Sequence, residues 1–164
     1  MSVIDYSRYI HVGIVVHSIE KTLENMEKVF RLGSYRINPF PPQDVKPSEI
    51  QLMYAGEKGD FSARFCFIQM GNTEVELIEP VHGESVWKEF LARKGEGIHH
   101  LKYEVDSLNE TIRELREKGI KCVQYGSAVG PNKGKTWAYF DTEEQLGYVL
   151  EVFNTQLGEV ITEA

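Results

Sequence analysis

Two histidines and two glutamates recur with matching surroundings in the two halves of this chain. His11 opens His11-Val12-Gly13-Ile14-Val15-Val16, which passes through His17-Ser18 into Ile19-Glu20-Lys21-Thr22. His100 opens Leu101-Lys102-Tyr103-Glu104-Val105 after it, which passes through Asp106-Ser107 into Leu108-Asn109-Glu110-Thr111. A later apolar run in each half carries a glutamate: Glu76 in Glu74-Val75-Glu76-Leu77-Ile78, Glu151 in Val149-Leu150-Glu151-Val152-Phe153. One His and one Glu per half is what a duplicated module needs to build a four-donor metal site at its pseudo-twofold axis. Two imidazoles and two carboxylates suit a six-coordinate divalent ion such as Co²⁺, Ni²⁺, Mn²⁺ or Zn²⁺, with two positions left for water or substrate oxygens. An ion there acts as a Lewis acid on an adjacent carbonyl. No cysteine lies near these residues, which argues against Cu(I) or an iron–sulfur cluster.

The elements that must carry these side chains follow from local signals. Tyr9 to His17 is β-rich. Ser18 is an N-cap, and Ile19, Leu23, Met26 and Phe30 recur at helical spacing, so a helix is expected over 19–31, ending at Gly33. A short strand is expected at 34–38. Four prolines between Pro39 and Pro47 then exclude a helix or a central strand and make a stiff loop. Strands at 49–55 and 61–70 follow, joined by the turn Gly56-Glu57-Lys58-Gly59-Asp60, and the Gly71-Asn72 turn returns the chain through 73–79. Residues 84–94 read as a linker helix with Trp87, Phe90 and Leu91 on its apolar stripe. The second half repeats the plan: strand 98–105, a helix opened by the capping box Ser107/Glu110 and closed at Gly119, then strands 120–125, 135–141 and 148–153. The expected fold is α+β: two tandem βαβββ modules, 8–80 and 97–153, in a single domain 8–153, with a tail at 154–164. His11 and Glu76 are 65 residues apart and His100 and Glu151 are 51 apart, and the excess falls in the proline loop and the long hairpin, where insertions belong.

Strand alternation gives each candidate a face. Val12, Ile14 and Val16 share one side and His11 takes the other. Leu101, Tyr103 and Val105 oppose His100, Lys102 and Glu104. Val75 and Leu77 oppose Glu74 and Glu76, and Leu150 and Val152 oppose Glu151. The helices must cover the apolar rows, so both His and both Glu point to the opposite, concave side. His99 is expected on the helix-covered side as a core or interface histidine, and His17 and His82 as solvated groups.

The chain has 164 residues with net charge −7 and a pI near 5.3. It shows no basic run for nucleic acid and no apolar window for a membrane span. Cys66 and Cys122 are too few for a disulfide framework and are read as reduced core residues of a cytoplasmic protein.

The layout over residues 8–153 resembles the vicinal oxygen chelate superfamily, which includes glyoxalase I, methylmalonyl-CoA epimerase and extradiol dioxygenases. Ile10-His11-Val12-Gly13-Ile14-Val15-Val16, Gly71-Asn72-Thr73-Glu74-Val75-Glu76-Leu77-Ile78-Glu79-Pro80 and Gly97-Ile98-His99-His100-Leu101 are most similar to the epimerase branch. The resemblance implies a half-barrel cleft with a divalent metal on His11, Glu76, His100 and Glu151, and epimerisation of methylmalonyl-CoA through an enolate. Glu151 is then one catalytic base, and Glu49, in its Ser48-Glu49 context, is the candidate for the second. An acyl-CoA partner needs local cations, for which Arg93, Lys94, Lys102, Lys133 and Lys135 are available, with Lys102 as the substrate-binding candidate. Glyoxalase I uses the same four ligand types and is the alternative, followed by a noncatalytic small-molecule-binding protein. A fourth ligand, Glu76, occupies a position that an extradiol dioxygenase needs for oxygen and catechol. Family members usually form homodimers.

Overall fold

The structure is a computed structural model and describes residues 4–163. The first half contains β1 (Tyr9–Val15), α1 (Ile19–Glu27), β2 (Ile37–Phe40), β3 (Leu52–Tyr54), β4 (Glu57–Lys58), β5 (Ser62–Met70) and β6 (Thr73–His82). The helix α2 (Val86–Lys94) leads into β7 (Gly97–Val105), α3 (Leu108–Glu117), β8 (Cys122–Ser127), β9 (Thr136–Phe140), the short α4 (Glu143–Leu146) and β10 (Val149–Asn154). All ten strands form one sheet in the order β2-β5-β6-β1-β7-β10-β9-β8-β3-β4. Curled into a half-barrel, it has the glyoxalase-like α+β architecture.

The two halves are built by the same local devices. Ser18 and Ser107 cap α1 and α3 by accepting from Lys21 N and Glu110 N. Thr22 and Thr111 hydroxyls donate back to the Ser18 and Ser107 carbonyls. Both helices lie on the convex face. There α1 covers Val75, Leu77, Cys66 and Ile68, and α3 covers Tyr103, Val105, Ala138 and Val152. The centre of the sheet is the antiparallel pair β1–β7, with β6 and β10 parallel to β1 and β7 on either side. In that pair His11 lies opposite Lys102, and Gly13 opposite His100. The pseudo-twofold axis passes between them.

Several expectations need correction. Helix α1 stops at Glu27 rather than continuing to residue 31. Val29 donates to the Met26 carbonyl three residues back, a tighter turn than the α-helical spacing, and Phe30 is solvent-exposed with no surface to hold a further turn. The strand expected at 34–38 lies at Ile37–Phe40 and includes Pro39; it is an edge strand, where a missing N–H is tolerated. The strands expected at 49–55 and 61–70 are not hairpin partners. β5 pairs with β2 and β6, whereas β3 crosses to the second half and pairs with β8. Gln51 and Ser127 fix this junction, the Ser127 N–H donating to the Gln51 carbonyl at 2.8 Å and the Gln51 N–H to the Ser127 hydroxyl at 2.9 Å.

The helix α2 lies on the concave side, not the convex one. Trp87 and Phe90 pack with Phe40, Phe61, Trp137 and Tyr139 at one end of the cleft. Beyond β10 the chain docks on the start of α3: the Glu159 carboxylate accepts from the Leu108 and Asn109 N–H groups, and Ile161 is buried beside α3. Neither cysteine forms a disulfide. Among the described residues no helix is long and apolar enough to cross a membrane.

Candidate metal centre

His11 on β1, Glu76 on β6, His100 on β7 and Glu151 on β10 project from the four central strands onto the concave side. All four are buried. Their donor atoms lie within 4.8 Å of one another. His11 Nε2 is 3.2 Å from Glu76 Oε2 and 3.7 Å from Glu151 Oε2. His100 Nε2 is 3.3 Å from Glu76 Oε2 and 2.9 Å from Glu151 Oε2, and the two Nε2 atoms are 3.4 Å apart. Bonds of about 2.0–2.2 Å to a central ion place neighbouring donors about 2.8–3.5 Å apart, and four of these five edges fall in that range. Glu76 Oε2 and Glu151 Oε2 are buried without a well-formed hydrogen bond. Two buried carboxylate oxygens aimed at two imidazole nitrogens form a cage that a divalent cation satisfies and that a single shared proton does not.

The electrostatics point the same way. Burial pushes the Glu76 carboxyl up, but His11 and His100 outweigh it and hold it at about 2. Burial likewise opposes ionisation of Glu151, yet Lys102 and His100 hold it well below the usual carboxylate range. On His100 burial disfavours the charge, but Glu151 and Glu76 win and raise the imidazole to about 9. The cluster therefore stabilises positive charge at its centre.

Local backbone features set this geometry. Gly13 is required because a Cβ there would fall 1.9 Å from His100 Cε1. In β7 the pairing runs from Gly13↔His100 to Ile14↔Ile98, a bulge that leaves His99 without a partner on β1. The bulge cancels the alternation that places His99 on the convex face. Instead His99 packs against Phe90 and Tyr139, with ring centres at 5.0 and 5.6 Å. Its Nδ1 is 3.1 Å from His100 Nδ1, and burial followed by the His100 charge lowers its pKa well below 6.5. A neutral His99 can accept the Nδ1–H of His100, which leaves His100 Nε2 free as a metal donor.

A cavity of about 640 Å³ opens over Glu76 and Glu151. Phe65, Phe67, Trp137, Tyr139 and Phe153 form its aromatic walls, and Lys102 is the cation nearest its floor. Lys102 Nζ is 3.0 Å from Glu151 Oε1 and 4.8 Å from the Phe153 ring centre. Glu49 is not brought to this cavity. It is exposed in the single turn Pro47–Glu49, where Oε2 accepts from the Lys46 N–H at 3.0 Å. Glu49 lines a neighbouring cavity with Lys133 and Lys135, which meets the first along Ala128, Val129 and Gly130. Arg93 and Lys94 pair with Glu143 at the surface. Gly13, Phe67 and Tyr139 were not singled out by sequence reasoning. The spacing of Gly13 from His11 and the pairing partners of Glu76 and Glu151 are the signals that locate them.

Comparison with known proteins agrees with this fold. The chain is 27% identical over 146 residues to the uncharacterised Bacillus subtilis protein YqjC, covering 89% of this chain and 91% of YqjC. It is 25% identical over 152 residues to human mitochondrial methylmalonyl-CoA epimerase, covering 92% of this chain and 76% of that protein. The crystal structure of methylmalonyl-CoA epimerase from Mycobacterium tuberculosis superposes with a TM-score of 0.59 at 18% identity, covering 95% of this chain and 93% of that one. Residues 10–139 match the family model described as the glyoxalase/bleomycin resistance protein/dioxygenase superfamily, and the chain belongs to that superfamily.

Proposed function

We propose that this protein is a divalent-metal-dependent epimerase acting on methylmalonyl-CoA. The observation that carries the reading is the buried cage of two imidazoles and two carboxylates on the floor of an open cavity. Epimerase relatives along most of the chain support it. His11, Glu76, His100 and Glu151 would hold the ion, which supplies a Lewis acid for the negative charge that develops on the thioester oxygen.

In this reading the protein side chains handle the protons. Glu151 accepts the proton from C2 on one face, and a second carboxyl returns a proton to the other. Lys102, beside Glu151, offers its ammonium group to the anionic substrate. Glu49 is the candidate for the second carboxyl, which requires the 41–50 loop to fold toward the metal cavity across the shared border at Val129 and Gly130. Lys133 and Lys135 edge the adjoining cavity, where they can meet the phosphates of the CoA moiety.

The test is incubation with methylmalonyl-CoA in D₂O, with C2 labelling and inversion followed separately. Metal-dependent label uptake with inversion is expected. Glu49→Gln should stop inversion but leave exchange from one epimer. No exchange, together with turnover of a glutathione hemithioacetal, would replace this reading by the glyoxalase I reaction, which the same ligand set accommodates.

A further inference from the structure

The two carboxylates of the cage occupy equivalent places in the two modules, but their neighbours differ. Glu76 on β6 lies directly opposite Phe67 on β5. Glu151 on β10 lies directly opposite Tyr139 on β9. The two rings also stand alike beside the histidine of their own module: Phe67 is 5.8 Å from His11 and Tyr139 is 5.2 Å from His100, centre to centre. The position therefore calls for an aromatic ring in both halves, and packing alone does not explain a hydroxyl in one.

Burial sharpens the contrast. Phe67 is 38% exposed, whereas Tyr139 is 2% exposed. A hydroxyl carried that deep is unfavourable unless it finds a polar partner. Directly opposed residues on one face of an antiparallel pair lie within side-chain reach, and the partner opposite Tyr139 is Glu151. The Trp87 ring packs edge-on against Tyr139 at 5.8 Å, and its indole N–H is buried without a closed hydrogen bond. Trp87, Tyr139 and Glu151 thus form a line from the start of α2 to the cage.

We infer that Tyr139 is a positioning residue for Glu151, its hydroxyl steadying the carboxylate between the metal and the substrate while the Trp87 indole N–H backs that hydroxyl. The inference rests on the metal-site reading above. Burial, with Glu151 and Glu76 nearby, raises the Tyr139 phenol well above its ordinary pKa, so it stays a neutral O–H donor. Glu76, opposite a phenyl ring, has no counterpart to this contact. The two carboxylates therefore differ in their support: Glu151 has a hydroxyl-bearing ring opposite it and Glu76 does not.

Tyr139→Phe tests this with little risk to folding, because it installs the residue that the first module already carries at the equivalent place. The full-length chain loaded with Co²⁺ is used. Three quantities are measured: the Co²⁺ dissociation constant by chelator competition, the Co²⁺ absorption spectrum, and kcat and KM for C2 exchange on methylmalonyl-CoA. Loss of a group that orients a metal ligand typically weakens metal affinity or activity about 10- to 100-fold. The expected result is weakening of that order in Co²⁺ affinity, an altered spectrum, and a matching fall in kcat with KM unchanged. Tyr125→Phe, in the cluster under α3 away from the cavity, should change none of these. Wild-type affinity and spectrum in Tyr139→Phe would overturn the inference, as would a raised KM at unchanged kcat. If the wild-type protein exchanges no label while Tyr139→Phe still binds Co²⁺ more weakly, the epimerase reading fails and the positioning role stands.

Discussion

The first module and the second present the same pair of candidate metal donors, a histidine and a glutamate, from equivalent strands, yet they surround them differently. In the first, Glu76 has Gly13 beside it on β1 and Phe67 beside it on β5. In the second, Glu151 has Lys102 beside it on β7 and Tyr139 beside it on β9. Gly13 and Lys102 each lie two residues after their module's histidine. The first module thus surrounds its carboxylate with a hydrogen atom and a phenyl ring, and the second with an ammonium group and a phenol. Duplication explains why four donors converge. On the proposed reading, divergence would let one carboxylate serve as a passive ligand while its mate carries proton chemistry.

The strongest way to break the comparison is to remove a donor from either side. His11→Ala and His100→Ala should both lose stoichiometric divalent metal and reduce C2 exchange to background, since each ring supplies one of the four candidate donors. Metal analysis and exchange rates check this. Full metal in either variant would show that the two modules do not share one ion.

Gly13→Ala comes next. The added Cβ meets the His100 ring at 1.9 Å, and overpacking of a tight site typically costs about 1–3 kcal/mol. A lowered unfolding midpoint and a displaced His100 should appear together, with metal affinity reduced. Lys102→Ala, at the corresponding place in the second module, removes the partner of the buried Glu151 carboxylate and should lower the midpoint of the metal-free protein without displacing His100. Equal thermal stability of Gly13→Ala and wild type would mean that the first module yields more easily than its packing indicates.

Much of this asymmetry was hidden in the sequence although the symmetry was plain. Period-two alternation put His11, Glu76, His100 and Glu151 on the concave face, because a regular strand leaves no other choice. The same rule failed at His99, where a bulge adds one residue opposite β1, because the extra residue is set by pairing with β1 and not by the order Gly97-Ile98-His99-His100-Leu101. The Ser18 and Ser107 caps were readable because capping is local. The crossing of β3 to β8 was not, since strand partnership is decided by distant backbone edges. The end of α1 was misplaced because Phe30 continued the helical spacing without a surface to bury against. Gly13 and Tyr139 were visible as letters, but their importance lies in contacts with residues 87 and 12 positions away, His100 and Glu151. Glu49 was singled out by resemblance, and its exposed position is a property of the loop rather than of its neighbours in sequence.

Titration gives a smaller, continuous effect on the second module. Without an ion His100 is raised to about 9 by its carboxylate neighbours. Below that pH a metal must displace the proton, so apparent affinity should rise about tenfold per pH unit from pH 7 and level off near 9. The same shift governs stability in the absence of metal. A raised histidine stabilises the fold fully below its unfolded value, about 6.5, and that contribution is lost as pH rises through 9. Metal-free protein should therefore unfold at lower temperature at pH 9 than at pH 6, while metal-loaded protein shows a weaker trend. A pH-independent Co²⁺ affinity between 7 and 9 would contradict the charge pattern of the cage.

The smallest effect is expected at Lys102, and its sign is informative. The ammonium group competes with a metal in two ways: it repels the cation, and it holds Glu151 Oε1 at 3.0 Å. Lys102→Met keeps an unbranched side chain of similar length and removes both. Co²⁺ should then bind several-fold more tightly, because Glu151 is released to the ion and a like charge is gone. Exchange on methylmalonyl-CoA should nevertheless slow, with most of the loss in KM, since the same ammonium group is the cation on the cavity floor available to an anionic substrate. Tighter metal with poorer substrate binding would show that the second module gave up metal affinity for substrate contact. Weaker metal binding in Lys102→Met would instead make Lys102 part of the support for Glu151, and the two modules would then differ in how they build the cage rather than in what they do with it.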